Sequence, residues 1–236
     1  MTPERFMEEV ELERLWREEE VRSMNNILIN LNEENDKNRL RRAIVCLLYA
    51  HVEGFVKFIF NLYIDAINKL DLKCQQVKPI LVAAVYHEDF KKLTSPDAKS
   101  KLFTKQAQND SHIRRLSLQA EFFEKINEYF QSKIKISEGY INTESNVGRE
   151  VLEKLLYQVG LSHKELESTI KPLSKLKNKR NGISHGIDKM PVDEESYNEF
   201  FKCTLSIIDD LSKTLYRAYS EKEFLIKENL KVSPDS

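Results

Sequence analysis

The sequence predicts an all-α protein, a helical bundle carrying one polar insertion. Three observations predict it. Glycine and proline number only six each in 236 residues, and sheets need the turn residues that helices do without. Apolar residues recur at spacings of three and four along most of the chain, the period of a helix face. Capping residues stand where these stripes begin and end. At 41% hydrophobic the chain has the material for a real core.

Each element follows from its residues. Thr2-Pro3 predicts an N-cap and a first helical residue, and the helix then runs to about Leu31. Residues 1–22 hold eight Glu and four Arg, spaced to pair along a solvated face. "NEENDKN" (32–38) breaks this helix. Residues 39–70 predict the central helix, because Ile44, Leu47, Leu48, Val52, Phe55, Ile59, Leu62, Tyr63 and Ala66 form a wide apolar stripe. Val77 to Tyr86 predicts a short apolar helix. Residues 87–111 show no steady period and read as an irregular polar insertion. A helix resumes over 112–134 through Ile113, Leu116, Leu118, Phe122, Phe123, Ile126 and Phe130. After a loop at 135–147, a helix over 148–159 ends at Gly160 in the C′ position. Ser162 with Glu165 reads as a capping box for a short helix. Pro172 permits a further start, carried by Leu173, Leu176 and Ile183. "DEES" (193–196) opens the last long helix, with Phe200, Leu205, Ile208, Leu211, Leu215 and Tyr216 apolar. One domain over 1–236 is expected, with an N-terminal helix at 1–34, the insertion at 87–111 and a fraying tail at 224–236.

Charge and composition narrow the function classes. Net charge is −1, from 37 basic and 38 acidic residues, so the global balance predicts neither a nucleic-acid nor a membrane partner. No unbroken run of 18 apolar residues occurs, and no membrane span is expected. The acidic start lacks an apolar signal core. Cys46, Cys74 and Cys203 are too widely spaced for a disulfide frame or a metal knuckle, and a cytoplasmic protein is the expectation. His51, His87, His112, His163 and His185 are scattered, none with a second His or Cys three to five residues away. No metal and no cofactor is expected.

One stretch stands out, "KNKRNGISHGIDKMP" (177–191). On a helix, Asn181 and His185 share a face, and Arg180 flanks it. Gly182 thins the helix wall, and Gly186 can end the helix. Lys171, Lys175, Lys177, Lys179 and Arg180 put five cations and no acid into ten residues, the local charge that an anionic ligand such as a phosphodiester needs. The Arg-x4-His spacing alone decides nothing. With twelve Arg and five His in the chain, roughly 0.8 pairs with four to six intervening residues are expected by chance. A helix end and a phosphate-handling site both remain open on spacing alone.

Context separates them. "RNGISHG" (180–186) resembles the R-N-x-x-x-H-G signature of the HEPN superfamily, the helical domains of RNA-cutting toxins and defence nucleases. "LLYAHVEGFVKFIF" (47–60) resembles the family's early core helix, and "INTESNVGREVLEKLLYQVGL" (141–161) resembles the segment before the motif helix in its MAE-like branch. The resemblance implies a HEPN-like bundle and a metal-independent endoribonuclease, working as a homodimer whose two motif helices share one cleft. RNA supplies its own nucleophile, the 2′-hydroxyl. His185 is then the proton-transfer group, and Arg180 the planar donor to the scissile phosphate. Asn181 orients His185 or bonds the phosphate, and Lys177 and Lys179 follow the RNA backbone. Products with 2′,3′-cyclic phosphate and 5′-hydroxyl ends are expected, as is an antitoxin or defence-complex partner. The chain departs from the family at Asp188, where relatives paired with a modifying antitoxin carry a tyrosine.

Two further residues have competing readings. His51 lies on the central apolar stripe and reads first as a core histidine. Glu53 either pairs with Lys57 one turn away or stands behind the cleft, as the resemblance implies. Two alternatives to the nuclease also stay open: a non-catalytic HEPN module that binds RNA or a partner protein, and a purely structural helical subunit.

Overall fold

A computed structural model describes residues 1–101 and 111–226. The central part of the predicted insertion and the tail from residue 227 lie outside the described residues, as does the Glu165 side chain on which the capping box depends. The helices are α1 (Pro3–Ile29), α2 (Glu34–Asn68), α3 (Pro79–Val85), α4 (His87–Thr94), α5 (Ser111–Glu124), α6 (Ile126–Gln131), α7 (Arg149–Gln158), α8 (Glu167–Ile170), α9 (Leu173–Ser184) and α10 (Glu194–Ser220). Among the described residues no strand forms, only two isolated antiparallel bridges, Lys73 with Lys133 and Val77 with Leu225. The all-α expectation holds.

Three details differ from the sequence pattern. The helix of the central stripe begins five residues early, at Glu34, where Arg41 reaches back about two turns to Glu34 at 2.8 Å. His87–Thr94 is helical, not irregular, with Glu88 and Asp89 at its N-terminal turn and Lys91 and Lys92 at its last, which favours the helix dipole. The helix expected over 112–134 is two, parted at Lys125.

The chain divides into two compact units. The first, residues 1–66 and 141–223, holds α1, most of α2, and α7 to α10. Val45, Leu48, Val52, Phe55, Val56, Ile59, Phe60 and Tyr63 of α2 are fully buried, so this helix is covered around much of its circumference. An 18-residue window of α2 is apolar enough in its mean hydropathy, 1.7, to cross a membrane, although no unbroken run is; 56% of that window is buried in the protein, as in a core helix. Phe6 of α1 stacks on Tyr219 of α10 at 5.0 Å, and Tyr63 of α2 meets the same ring edge-on. These rings join α1, α2 and α10 into one core.

The α1–α2 seam also buries charge. Arg17 is 6% exposed. It pairs with Glu13 at 2.9 Å and lies 4.3 Å from the Trp16 ring, which offsets the cost of burying its guanidinium. Gly54 makes room for it, since a Cβ there would stand 3.2 Å from Arg17 Nη2. His51 is buried as a core histidine, edge-on to Trp16 and 2.9 Å from Glu20. Burial holds its pKa below the ordinary value, with the Glu20 carboxylate opposing that shift.

The second unit, residues 67–140 and 224–236, holds α3 to α6. Asn68 clamps the backbone of Ile136 through both amide atoms, at 3.0 and 2.9 Å. The Tyr86 ring packs at a tilt against Tyr129, with centroids 4.2 Å apart, and its hydroxyl hydrogen-bonds Ser132. An apolar cavity of about 510 Å³ opens here between Val82, Tyr86, Phe90, Phe122 and Phe130.

Candidate functional site

α9 carries the motif and is built to present it. Pro172 stands at its N-cap, and Leu173 and Leu176 are fully buried. These two leucines fix the roll of the helix. The polar residues that follow, 177–181, therefore fall on the remaining faces.

The end of α9 has a defined geometry. Ile187 N–H donates to Gly182 O at 3.0 Å, and Gly186 N–H donates to Ile183 O at 3.1 Å. Gly186 sits at φ +69°. This is the paired-bond helix ending in which a left-handed glycine follows the C-cap. His185 is that C-cap, still bonded to Asn181 O at 3.0 Å. Its imidazole thus stands one turn beyond Asn181, exposed, and pairs with no side chain among the described residues.

The loop after the motif folds back onto α9. Asp188 accepts from Lys179 at 2.8 Å, and Arg42 of α2 donates to the carbonyls of Asp188 and Met190, both at 2.7 Å. Lys179 holds the Asp188 carboxyl below its ordinary pKa. Asp188 is thus an anchor of the loop. Gly182 permits the fold-back, because a Cβ there would lie 2.8 Å from Asp188 Cβ. Gly182→Ala should therefore lower the thermal midpoint. Relieving such an overlap costs about 1–3 kcal/mol, against about 1 kcal/mol gained in helix propensity. A melting curve that moves upward would refute this packing.

Arg180 is the best-fixed member. Its guanidinium carbon lies 3.8 Å from the centroid of the Tyr49 ring, and its Nη2 lies 3.4 Å from Glu53 Oε2. Tyr49 is 1% exposed, and its hydroxyl donates to Val147 O at 3.1 Å. Burial chiefly, and then the Glu53 charge, raise the Tyr49 pKa. Asn181 Nδ2 reaches Asn146 Oδ1 at 3.4 Å. Lys177, half-buried, runs against Gly148, where a Cβ would meet its Nζ at 3.0 Å. α2, the loop 142–148 and α9 thus enclose the guanidinium and amide of the motif.

The structure unites some of the expected residues and separates others. Arg180, Asn181 and Glu53 converge, and His185 follows at the helix end. Glu53 pairs with Arg180, across 127 residues of sequence, and not with Lys57. Lys179 does not stand free to follow RNA, because Asp188 neutralises it. The basic run is also less basic in space. Lys175 pairs with Glu199 at 2.9 Å, Lys179 with Asp188 and Arg180 with Glu53. Of the five cations, Lys171 and Lys177 remain without an acidic partner among the described residues. Tyr49 and Asn146 escaped the sequence reading. Tyr49 stands one turn before Glu53, a spacing that puts both on one face; nothing in the sequence marks Asn146. No three His, Cys, Asp or Glu side chains gather as a metal site among the described residues.

A family model for MAE-like HEPN domains matches residues 6–224. No curated protein and no solved structure matches the chain. HEPN domains are nuclease or RNA-binding modules and commonly dimerise. With the match spanning both units, the helical fold and the Arg-Asn-x3-His end of α9 inside it, the chain belongs to the MAE-like branch of the HEPN superfamily.

Proposed function

We propose that the protein is an endoribonuclease of toxin or defence type that cuts RNA by attack of the 2′-hydroxyl, in a cleft completed by a second copy. The observation that carries this is the division of labour on α9. Arg180 is held still by Tyr49 and Glu53, while His185 stands exposed at the helix end, with no side-chain partner among the described residues. A fixed planar cation suits a scissile phosphate, and a free imidazole suits proton transfer at the 2′-oxygen or the leaving 5′-oxygen. Ile187 and Met190, which follow the histidine in the chain and are 81% and 70% exposed, offer apolar surface that a second copy would cover. Wild-type protein incubated with total RNA in EDTA should cut it, leave 2′,3′-cyclic phosphate ends and sediment as a dimer. A monomer with full activity would refute the shared cleft.

Lys177 is the RNA-binding candidate that remains. Lys177→Ala should weaken binding two- to fivefold and reduce the slope of log affinity against log salt by about 0.7, one single-strand phosphate contact. Salt titrations of a labelled RNA check this.

A second reading has its own observation. Glu53 occupies part of the donor fork of Arg180 within the chain, which suits a module that binds RNA or a partner without cutting. Binding by wild type and by His185→Ala alike, with no cleavage by either, would select it.

A further inference from the structure

We infer that Tyr49 is the positioning residue of the site, its ring being the platform that sets the plane and height of the Arg180 guanidinium. The inference rests on the nuclease reading and adds to it a residue outside the Arg-Asn-x3-His motif. Three observations lead there.

The first is the stack itself. At 3.8 Å the guanidinium carbon is in face contact with the ring, the closest of the cation–ring contacts among the described residues. Stacking fixes the plane of the fork, and the plane decides which two N–H groups meet a phosphate together.

The second is the rigidity of the platform. Tyr49 is 1% exposed within α2, between the fully buried Leu48 and Val52. Its hydroxyl is tied to the Val147 carbonyl. A side chain that is packed and tied at its tip cannot follow a moving arginine, so the arginine conforms to it.

The third is the weakness of the alternative. Glu53 meets Arg180 through one contact of 3.4 Å, long for a charge-assisted hydrogen bond. That contact can limit the swing of the fork but cannot hold its plane. Ring and carboxylate lie one turn apart on α2. Tyr49 therefore sets orientation, and Glu53 the end of the swing.

The hydroxyl has a separate consequence. It ties α2 to the loop whose Asn146 meets Asn181. Ring and hydroxyl can be separated by substitution. Tyr49→Phe keeps the platform and drops the tie; Tyr49→Leu drops both.

The test uses the full chain and a defined RNA oligonucleotide that the wild type cuts. Tyr49→Leu should lose ten- to a hundredfold in kcat with KM within about threefold, because the charge of Arg180 remains and only its orientation is lost. Tyr49→Phe should recover kcat to within about threefold of wild type. Ile59→Ala, which removes buried volume from α2 nearly three turns beyond Tyr49, measures what loosening the helix does alone. A second readout does not depend on cleavage. The Arg180 Nε–Hε NMR signal, identified by its loss in Arg180→Lys, should be ring-current shifted in wild type and Tyr49→Phe, and return towards the free-arginine position in Tyr49→Leu. Wild-type kcat in Tyr49→Leu would overturn the inference, as would equal losses in Tyr49→Phe and Tyr49→Leu. If the wild type cuts no RNA, the nuclease reading fails instead, and the NMR signal alone decides the platform: an unshifted wild-type signal rejects it.

Discussion

His185→Ala should cut RNA about 10²–10⁴-fold more slowly than wild type, with an unchanged thermal midpoint. Loss of one general acid–base group has that size, about 3–5 kcal/mol of barrier. The clean separation of activity from stability follows from where the residue stands. His185 is an exposed C-cap whose side chain bonds nothing among the described residues. The helix ending is held by backbone bonds to Gly182 and Ile183 that alanine leaves intact. Surface substitutions of this kind move stability by about 0.5 kcal/mol or less. The experiment pairs a cleavage time course with a melting curve on the same samples. If the variant cuts at the wild-type rate, the histidine is no part of the chemistry.

Arg180→Lys should lose about 10²-fold or more in kcat although charge is conserved. The ammonium of lysine keeps a positive charge near Glu53 and Tyr49, but it has no plane to lie on the ring and no fork for two phosphate oxygens. Lysine is the informative replacement. Arg180→Ala would leave Glu53, 24% exposed on its side chain, without its partner, and a stability loss of about 1–3 kcal/mol would confuse the result. Single-turnover rates at saturating RNA separate this loss of orientation from weaker binding. A lysine variant that keeps its rate would show that charge alone is required, and would remove the reason for the Tyr49 platform as well.

The residues legible in advance and those that were not divide along a physical line. The helices were visible because periodicity, caps and glycine scarcity are local properties, written within a few turns of chain. α10 shows this well: Asp193 caps it by accepting from Ser196 N–H at 2.8 Å, as its acidic opening predicts. Boundaries were less legible where a long side chain reached past its own pattern, as Arg41 does to Glu34. The helix at His87–Thr94 is only eight residues long and buries no residue, so its single apolar pair, Phe90 and Leu93, is too short a stripe to mark it.

The site divides the same way. Arg180 and Asn181 stand five and four residues before His185 at the end of one helix, so sequence spacing by itself determined their shared presentation, and the glycine after the histidine determined where that helix stops. Which charges stay free is not a local property. Five cations in ten residues promised a basic surface, and Glu199, Asp188 and Glu53 neutralise three of them, Glu53 from 127 residues away. The ring beneath Arg180 and the amide beside Asn181 likewise come from α2 and the loop 142–148. Sequence determined the helices, the motif and the helix end beside the histidine, because these depend on neighbours along the chain. Only tertiary structure decided which cation is held, on what ring and against which acid, because electrostatic and stacking partners are chosen by distance in space.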